Sequence, residues 1–466
     1  MNFTSEKVAA VILAAGKGTR MKSQRPKVLH PLAGRPLAAY PARLAKILGC
    51  APVALVVGHG AEAVGAALGG EGLVFAEQTE QLGTGHALLC AEAALSGFSG
   101  TLLLLCGDVP LLRRDTLERL LTAHHAAAAA VTVLTAEIAD PHGYGRIVRE
   151  QGDVARIVEE KDAAPAEKAI REINTGIYAL AAPWVFAALR RVGCNNAQGE
   201  YYLTDIVGLA RTEGHRVCAV ITADASEAMG INDRVQLAEA ATILRQRLNA
   251  EHMRAGVTLL DPATTYIEPG VTIGPDTLIH PGVHLCGATV LGRDCEIEPG
   301  AMLSDCTLAD RVHVKSGSIL EGSTIGADCA IGPMAHLRPG TVLLGENKIG
   351  NFVETKKARL GKKSQASHLT YLGDAEVGER VNFGCGTITC NYDGVNKYVT
   401  TVGDDVFVGS DVQLVAPVTI GSGSLIGAGS TITKDVPADA LAISRAEQKI
   451  VPGWAAKKRA KQKKQL

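Results

Sequence analysis

Aliphatic residues recur every six positions through much of the C-terminal half of this 466-residue chain, and this period constrains its fold more than any other feature. The periodic residues are Ile273, Ile279, Leu285, Leu291, Ile297, Leu303, Ile325, Ile331, Leu337, Leu343, Val402, Val408, Leu414, Ile420, Ile426 and Ile432. A period of six fits neither an α-helix nor an ordinary alternating strand. It is typical of a parallel β-helix, in which each hexad contributes one short strand and one turn. Stacked coils bury such residues against one another, so we expect this half to fold as one stacked unit.

The first 230 or so residues follow a different pattern, in which apolar strands alternate with helical stretches. The pattern predicts strands at residues 53–57, 102–105 and 131–134, and helices at residues 36–48, 82–94 and 116–130. Alternation of this kind indicates a mostly parallel sheet with helices on both faces. The N-terminal half is therefore predicted to be an α/β domain.

A helix is predicted over residues 233–255, between the two halves. Its apolar face is predicted to consist of Val235, Ala238, Ala241, Leu244 and Leu248, with Arg245, Arg247 and Glu251 outside it. The last ten residues, 457–466, read KKRAKQKKQL and are predicted to form a solvated basic tail, since nothing aromatic accompanies the charges.

Composition and charge exclude several classes of protein. Basic and acidic residues nearly balance, at 47 and 48, so no net charge favours nucleic acid or a membrane surface. The sequence has no apolar run of the roughly 18 residues that a spanning helix needs, and its first residues lack the apolar core of a signal peptide. The 11 cysteines include no C-x-x-C pair, which favours reduced thiols over disulfides or a zinc site. We therefore expect a cytoplasmic protein.

The segment LAAGKGTRMKSQRPKVL, residues 13–29, directly follows an apolar run that is predicted to be a buried strand. A glycine-rich turn at the carboxyl end of a parallel strand is where α/β folds bind phosphates. Gly16 and Gly18 would let backbone N–H groups approach a polyphosphate. Met21 stands where a dinucleotide fingerprint needs glycine, and Gly18 stands where a P-loop needs Ser or Thr. Neither of those motifs fits, and a simple strand–loop–helix turn is the other interpretation.

The same segment resembles the signature of the sugar nucleotidyltransferases, L-x-A-G-x-G-T-R-x…P-K, with Arg20 and Lys27 supplying positive charge for a triphosphate. Further along, Gln78 and the segment Gln-Leu-Gly-Thr-Gly that begins at Gln81 resemble the uracil-reading part of the uridylyltransferase branch. Asp108 follows the strand at 102–105, where a carboxylate is well placed to hold Mg²⁺. Capping the next helix is the alternative role for Asp108.

The resemblance implies an in-line displacement at the α-phosphorus of UTP by a sugar 1-phosphate, with pyrophosphate leaving and no protein nucleophile. It implies Mg²⁺ held by Asp108 and Asn232, and sugar contacts from Gly145, Glu159 and Asn174. Residues expected to bind UTP or the UDP-sugar product are Leu13, Ala14, Ala15, Gly16, Arg20, Lys27, Gln78, Gly83, Thr84, Cys106, Gly107, Asp108, Gly145, Glu159, Asn174 and Asn232.

Four segments of the second half are LRPG around Arg338, NFVETKKARL from Asn351, HLTYLG from His368 and VNFGCGTITCNYDG from Val381. They resemble the acetyltransferase half of the bacterial bifunctional enzymes that make UDP-N-acetylglucosamine, and with both halves matching in order the resemblance covers essentially the whole chain. An ammonium cannot attack a thioester, so a base must deprotonate the amine of glucosamine 1-phosphate. Histidine, with a pKa of about 6.5, suits that task near neutral pH, and the resemblance assigns it to His368.

The resemblance also implies ligands for both acetyl-transfer substrates. For glucosamine 1-phosphate they are Arg338, Lys356, Tyr371 and Asn382, with Lys397 a weaker candidate; for acetyl-CoA they are Cys385, Asn391, Tyr392, Ser410, Ala428 and Arg445. The alternative for His368 is a purely structural role, and the alternative for Ala428 is that of a small turn residue in the repeat. Cys106 and Cys385 depart from the family, which commonly has Tyr and Ala at these positions.

The resulting fold prediction is a Rossmann-like α/β nucleotidyltransferase domain at residues 1–234, a linker helix at 235–255 and a left-handed parallel β-helix acetyltransferase domain at 256–466. The resemblance further implies a homotrimer that binds UTP, glucosamine 1-phosphate, N-acetylglucosamine 1-phosphate and acetyl-CoA, with no nucleic-acid or membrane partner. Two alternatives stay open. One is a single-activity pyrophosphorylase whose β-helix only regulates or oligomerises, and the other is a trimeric scaffold with two inactive sites.

Overall fold

The structure is a computed structural model that describes residues 7–462. The predictions for the extreme N-terminus and for the last four residues of the basic tail therefore lie outside the described residues. The chain divides into two compact units between Leu244 and Arg245. This division falls within helix α8 (Arg234–Arg254), which matches the helix predicted between the two halves. The domain boundaries proposed at residues 234 and 255 stay predictions.

The first unit alternates strands and helices as the sequence predicts. Its strands are β1 Val8–Leu13, β2 Pro31–Leu32, β3 Arg35–Pro36, β4 Val53–Val57, β5 Val74–Glu77, β6 Thr101–Cys106, β7 Val131–Glu137, β8 Arg146–Glu150, β9 Asp153–Val158, β10 Glu172–Ala181 and β11 Val217–Ile221. Its helices before α8 are α1 Ala39–Ile47, α2 Ala61–Leu68, α3 Thr84–Cys90, α4 Arg114–Ala126, α5 Pro165–Lys168, α6 Ala182–Leu189 and α7 Asp205–Thr212. The helices predicted at 36–48 and 82–94 are shorter in the structure, because Pro36 belongs to a strand and Gly83 has a positive φ of 109°.

The main sheet has the order β11-β7-β10-β6-β1-β4-β5. Its centre is parallel, since β1 pairs in parallel with both β4 and β6, whereas β10 runs antiparallel to β6 and β7. Alternate residues of β1 enter different apolar cores: Val11 packs with α3, α6 and α7, and Ile12 packs with α1, α2 and α4. Helices thus cover both faces of a mostly parallel sheet, and the carboxyl ends of β1 and β6 lie side by side.

Helix α8 packs through a face that agrees with the predicted one at Ala241 and Leu244 but differs from it elsewhere. Ala240 is buried, and Leu237, Ala241 and Leu244 pack with it against Leu32, Leu37, Leu111 and Ile231. Val235, predicted to lie on the apolar face, is 68% exposed. The helix carries apolar residues on more than one side, so its spacing alone could not indicate which side meets the core.

The second unit is a left-handed parallel β-helix, as the six-residue period predicts. One face is a continuous parallel sheet of the strands Thr258–Leu259, Leu278–Ile279, Glu296–Ile297, His313–Val314, Ala330–Ile331, Lys348–Asn351, Gln365–His368, Asn382–Phe383, Phe407–Val408, Leu425–Ile426 and Leu441–Ala442. The other two faces share the strands Tyr266–Ile267, Thr272–Ile273, His284–Cys286, Val290–Leu291, Met302–Ser304, Thr307–Leu308, Ile319–Glu321, Thr324–Ile325, His336–Leu337, Val342–Leu343, Glu354–Leu360, Tyr371–Val377, Ile388–Cys390, Thr400–Val402, Gln413–Val415, Val418–Ile420 and Thr431–Ile432. The periodic aliphatic residues form its core, and all but the half-buried Ile273 are buried.

One coil of the β-helix is longer than its neighbours. Leu360 pairs with Val377, and Val377 in turn pairs with Val402. The coil between Val377 and Val402 therefore contains more residues than the coil between Leu360 and Val377. The extra residues form a loop around 391–399 that carries Asn391, Tyr392 and Lys397. After the last coil, exposed residues lead to helix α9 (Trp454–Gln462), which includes the described part of the basic tail.

Candidate active sites

The loop that follows β1 lies directly against Lys27. Gly18 has a φ of 60°, and a Cβ at this position would lie 2.5 Å from Cβ of Lys27. A side chain there would push Lys27 away, so only glycine fits. Gly107 donates its backbone N–H to the carbonyl of Leu13 at 2.9 Å, which joins the ends of the two central strands. The placement of Lys27 therefore explains Gly18, whereas a Cβ on Gly16 would meet no other atom within 4 Å.

Lys27, Asp108 and Asn232 meet although they are far apart in sequence. Nζ of Lys27 donates to Oδ2 of Asp108 at 2.5 Å and to Oδ1 of Asn232 at 3.2 Å. The backbone N–H of Ile231 donates to the carbonyl of Asp108 at 2.9 Å, which holds the two acceptor segments together. The structure thus brings together the two residues predicted to hold Mg²⁺ and the lysine predicted to bind phosphate.

The oxygens of Asp108 and Asn232 fit a magnesium ion. Both already face one cationic group, the ammonium of Lys27, and Mg²⁺ prefers oxygen ligands of this kind. Residues 7–462 contain no group of three or more His, Cys, Asp or Glu side chains arranged to hold a metal. A site with one carboxylate and one amide is typical of Mg²⁺ that is shared with substrate phosphates.

A cavity of about 340 Å³ opens beside these residues at the carboxyl ends of β1 and β6. Ten of the residues predicted to bind UTP or the UDP-sugar line it, namely Leu13, Ala14, Ala15, Gly16, Lys27, Gln78, Gly83, Thr84, Cys106 and Asp108. Gln78 donates to the carbonyl of Gly83 at 3.1 Å, and Gln81 donates to the carbonyl of Ala15 at 2.9 Å. Arg20 is exposed and is not among the lining residues.

Glu200 also lines this cavity, and the sequence analysis did not select it. It follows a loop in which the side chain of Asn196 donates to the Glu200 carbonyl at 2.5 Å. The Asn-Asn and Gln-Gly pairs before it indicate a turn. They give no sign that this turn lies beside Gly83, which only the tertiary structure shows.

The three residues predicted to contact the sugar lie together. The N–H of Asn174 donates to the carbonyl of Gly145 at 2.8 Å, and a Cβ on Gly145 would lie 3.5 Å from Oε2 of Glu159. Burial raises the pKa of the Glu159 carboxyl, although the hydroxyl of Thr204 donates to it at 3.1 Å and opposes that shift. The carboxylate of Glu159 can accept hydrogen bonds from sugar hydroxyls, and the side-chain amide of Asn174 can both accept and donate them.

Cys106 occupies the position where the family commonly has tyrosine. Its Sγ lies 3.5 Å from the carbonyl oxygen of Gly176, and a Cβ on Gly176 would lie 3.0 Å from this sulfur. Burial raises the pKa of the Cys106 thiol to about 12, so the thiol stays neutral. The side chain fills space between β6 and β10, and a neutral thiol is a weaker nucleophile than a thiolate.

One corner of the β-helix aligns five residues on successive coils, and we call this set the corner column: Asn351, His368, Cys385, Ser410 and Ala428. Asn351 pairs directly with His368. The N–H of Asp411 donates to the carbonyl of Cys385 at 2.7 Å, and the N–H of Gly429 donates to the carbonyl of Ser410 at 2.8 Å. Arg445 donates to the carbonyl of Ala428 at 2.8 Å. The predicted base and four of the predicted acetyl-CoA residues are therefore brought together.

His368 is oriented by the side chain of Asn351. Nδ1 of His368 lies 3.0 Å from Oδ1 of Asn351, and because an amide oxygen can only accept, Nδ1 carries the proton. Nε2 is then left with a free lone pair on an exposed ring. No role is predicted for Asn351 from the sequence motifs. The length of one coil, which separates Asn351 from His368, is the signal that could have found it.

A cluster of cationic side chains lies on the neighbouring face of the β-helix. In each coil, the strand on this face follows the strand that carries Asn351 or His368. Arg338 donates to Glu354 at 2.8 Å, and the ammonium of Lys397 beside Lys356 lowers the pKa of Lys356, with Arg338 adding to this effect. Two ammonium groups and a guanidinium this close together favour an anion between them. Tyr371 pairs with Glu354 on the same face, whereas Asn382 lies on the first face, between Gln365 and Phe407.

The loop of the long coil is fastened at Asn391. This buried side chain donates to the carboxylate of Asp374, a residue that the sequence analysis did not select. Tyr392 is 59% exposed and bridges to Lys397 through the backbone. The structure therefore holds Lys397 on a loop anchored from the strand that also carries Tyr371.

Comparisons with known proteins support this two-part organisation. A model of the MobA-like NTP transferase domain matches residues 10–190, a model of the GMPPB C-terminal domain matches residues 263–365, and a model of the bacterial transferase hexapeptide (six repeats) matches residues 400–434. The fold and sites thus define a nucleotidyltransferase joined to a hexapeptide-repeat acyltransferase.

Curated relatives match over nearly their whole length. Proteins described as bifunctional protein GlmU are 66% identical in Syntrophotalea carbinolica, over 96% of this chain and 97% of the relative, and 58% identical in Pelobacter propionicus, over 96% and 98%. The relative in Geobacter sulfurreducens is 56% identical over 97% of this chain and 99% of its own length.

The chain belongs to the GlmU family of bifunctional transferases. Its two activities are acetyl transfer and uridylyl transfer in the synthesis of UDP-N-acetylglucosamine. The family resemblance found in the sequence is therefore confirmed, and the single-activity and scaffold alternatives are set aside. No helix within residues 7–462 has both the length and the apolar character to cross a membrane.

Proposed function

We propose that the β-helix unit transfers acetyl from acetyl-CoA to glucosamine 1-phosphate, and that the α/β unit then transfers uridylyl from UTP to the N-acetylglucosamine 1-phosphate so formed. The observation that carries this proposal is the pairing of two sites in one chain. Lys27, Asp108 and Asn232 converge at a cavity, and His368 is oriented by Asn351 on the corner column.

For uridylyl transfer, the phosphate oxygen of N-acetylglucosamine 1-phosphate attacks the α-phosphorus of UTP and pyrophosphate leaves. Lys27 and Arg20 neutralise charge on the phosphoryl oxygens, and Gln78 with the backbone around Gly83 reads the uracil. Gly145, Glu159 and Asn174 orient the sugar. Mg²⁺, held by Asp108 and Asn232, supplies further charge neutralisation on the phosphates when it is bound. The remaining binding residues are Leu13, Ala14, Ala15, Gly16, Thr84, Cys106 and Gly107.

For acetyl transfer, Nε2 of His368 takes a proton from the ammonium of glucosamine 1-phosphate, and the free amine attacks the thioester carbon of acetyl-CoA. The amide C–N bond forms, the C–S bond breaks, and coenzyme A leaves and is released as the thiol. Arg338, Lys356 and Lys397 hold the phosphate of this substrate, while Tyr371 and Asn382 contact its sugar. Acetyl-CoA lies along Cys385, Asn391, Tyr392, Ser410, Ala428 and Arg445, where the small side chain of Ala428 admits the cofactor. We further propose a homotrimer located in the cytoplasm.

Mass spectrometry of the products from glucosamine 1-phosphate, acetyl-CoA, UTP and Mg²⁺ tests the proposal. We expect UDP-N-acetylglucosamine, coenzyme A and pyrophosphate. Reactions that each lack one substrate serve as controls and give the order of the two steps. If N-acetylglucosamine 1-phosphate accumulates as the final product, the uridylyl half of the proposal is contradicted. If no acetylated sugar forms and no coenzyme A is released, the acetyl half is contradicted.

Cys385 offers a separate test of the acetyl-CoA site. We expect iodoacetamide to label this half-buried thiol, and coenzyme A to slow the labelling because the cofactor lies over the corner column. The exposed Cys194 is the reference for unprotected labelling, and Cys106, with its pKa raised to about 12, is the unreactive reference. Peptide mass spectrometry that finds equal labelling of Cys385 with and without coenzyme A would contradict this placement.

A further inference from the structure

Glu227 is a buried carboxylate to which no part of the proposed reaction assigns a role. It is 2% exposed. Its Oε2 accepts the backbone N–H of Arg113 at 3.0 Å, and its Oε1 accepts the hydroxyl of Thr116 at 3.0 Å. Nε of Arg113 lies 4.0 Å away. The hydroxyl of Thr222 lies 3.4 Å from Oε1 and shares its one proton with the carbonyl of Asp224 at 3.2 Å. Burying a carboxylate costs several kcal/mol unless such partners compensate it, so these contacts keep Glu227 in one position.

These contacts tie Glu227 to the start of helix α4. Arg113 immediately precedes the helix and Thr116 lies in its first turn. The first N–H groups of a helix have no partner within the helix, and a carboxylate satisfies them well. Arg113 itself does not cap the helix through its side chain. Glu227 therefore holds the start of α4 from a distant part of the chain, through the N–H of Arg113 and the hydroxyl of Thr116.

The two segments that Glu227 joins are the ones that carry Asp108 and Asn232. Asp108 lies on the short connection between β6 and α4. Glu227 lies in the 3₁₀ turn Ala225–Ala228, which leads directly to Ile231 and Asn232. Other direct links are the Ile231–Asp108 backbone hydrogen bond, the apolar packing of Leu111 with Ile231, and Lys27, whose ammonium the proposed reaction also uses to bind phosphate. An exposed ion pair between Arg113 and Asp224, at 2.8 Å, adds little.

We propose that Glu227 is a positioning residue for uridylyl transfer, which sets the separation between the oxygens of Asp108 and Asn232. Its carboxylate fixes the Asn232 segment against α4 when Lys27 turns its charge to the substrate. This role rests on the proposed function of the α/β unit. Glu227 touches neither substrate nor metal, and it acts only through the two segments that it joins.

Two substitutions of similar size separate geometry from charge. In Glu227→Gln, the amide oxygen still accepts from Arg113 N–H, and the NH₂ group donates to the hydroxyls of Thr116 and Thr222, which rotate to accept. We therefore expect this variant to stay close to the wild type. Glu227→Leu keeps a similar volume and removes every hydrogen bond, so the bonds that hold the Asn232 segment to Arg113 and Thr116 at the start of α4 are lost. Thr116→Val removes only one of the bonds to Glu227, together with the bond that Arg119 donates to the same hydroxyl at 3.2 Å, and is a milder variant if Glu227→Leu does not fold.

Three measurements on the full chain test the proposal. Without metal, hydrogen–deuterium exchange should show faster exchange of the peptide that contains Ile231 in Glu227→Leu and unchanged exchange in Glu227→Gln. In the presence of UTP, the Mg²⁺ concentration that gives half-maximal uridylyl transfer should rise about 10-fold for Glu227→Leu. Acetyl transfer, which takes place in the other unit, should be unchanged in every variant, and wild-type exchange of the buried strands β1 and β6 reports whether the α/β unit is folded.

The outcomes separate this proposal from the proposed function. If the wild type shows no Mg²⁺-dependent uridylyl transfer, the proposed function is wrong. If the wild type is active and folded Glu227→Leu keeps both the wild-type Mg²⁺ dependence and the wild-type exchange of Ile231, the positioning role is wrong. Thr116→Val should raise both the half-maximal Mg²⁺ concentration and the exchange rate of the Ile231 peptide, by smaller factors than Glu227→Leu. If Thr116→Val changes neither quantity, the positioning role is also contradicted.

Discussion

Replacing His368 by alanine is expected to lower the rate of acetyl transfer by about 10²- to 10⁴-fold, while uridylyl transfer keeps its wild-type rate. The amine of glucosamine 1-phosphate is an ammonium near neutral pH and has no lone pair for the thioester until a base removes a proton. Nδ1 of His368 faces the amide oxygen of Asn351 at 3.0 Å, so Nε2 is the free acceptor. The release of coenzyme A, followed with a thiol reagent, measures the first activity, and the release of pyrophosphate measures the second.

His336 provides a matched control for His368. It is also a histidine at the surface of the β-helix, but it pairs with Glu321 at 3.1 Å and does not belong to the corner column. His336→Ala should leave acetyl transfer within about two-fold of the wild type, as is usual for surface substitutions. A folded His368→Ala protein that releases coenzyme A at the wild-type rate would show that another group is the base.

Replacing Asp108 by asparagine is expected to lower uridylyl transfer by about 10²- to 10³-fold, the usual loss when one charge-stabilising group is removed. The substitution keeps the size of the side chain and removes the negative charge, so an oxygen ligand for Mg²⁺ is weakened and Lys27 loses its ion-pair partner at 2.5 Å. Pyrophosphate release from UTP and N-acetylglucosamine 1-phosphate, measured over a range of Mg²⁺ concentrations, gives the size of the effect.

Asp115 is the control carboxylate for this experiment. It lies exposed in the first turn of α4, on the helix that follows Asp108, so Asp115→Asn changes the same charge without touching the cavity. Acetyl transfer should be unaffected in both variants. Mg²⁺-dependent turnover at the wild-type rate in Asp108→Asn would contradict the assigned role of this carboxylate.

Local patterns in the sequence accounted for most of the architecture. The six-residue period placed the aliphatic core of the β-helix correctly, because each coil repeats the same strand and turn and neighbouring coils contact residues a fixed distance away. The glycine loop and Asp108 were placed at the ends of strands for a similar reason, since the carboxyl ends of adjacent parallel strands meet at one edge. The same regularity indicates that Asn351 lies beside His368.

Other features depended on contacts between distant segments, which no local pattern encodes. The predicted face of α8 included Val235, which is 68% exposed, because the position of the core beneath the helix is set by Leu32, Leu37 and Leu111 from other parts of the chain. Glu200 and Asp374 stand in stretches that indicate only a turn and a strand. Their roles follow from what lies opposite them.

The periodicity and motifs of the chain thus establish its two-part fold, its family and the chemistry of its side chains, because each of these depends on residues close in sequence or repeated at a fixed interval. The tertiary structure alone decides that Lys27 lies between Asp108 and Asn232, and that Glu227 accepts hydrogen bonds from Arg113 and Thr116 at the start of α4. Such contacts arise when packing closes long stretches of chain, and the energy that selects them comes from the whole core rather than from any segment.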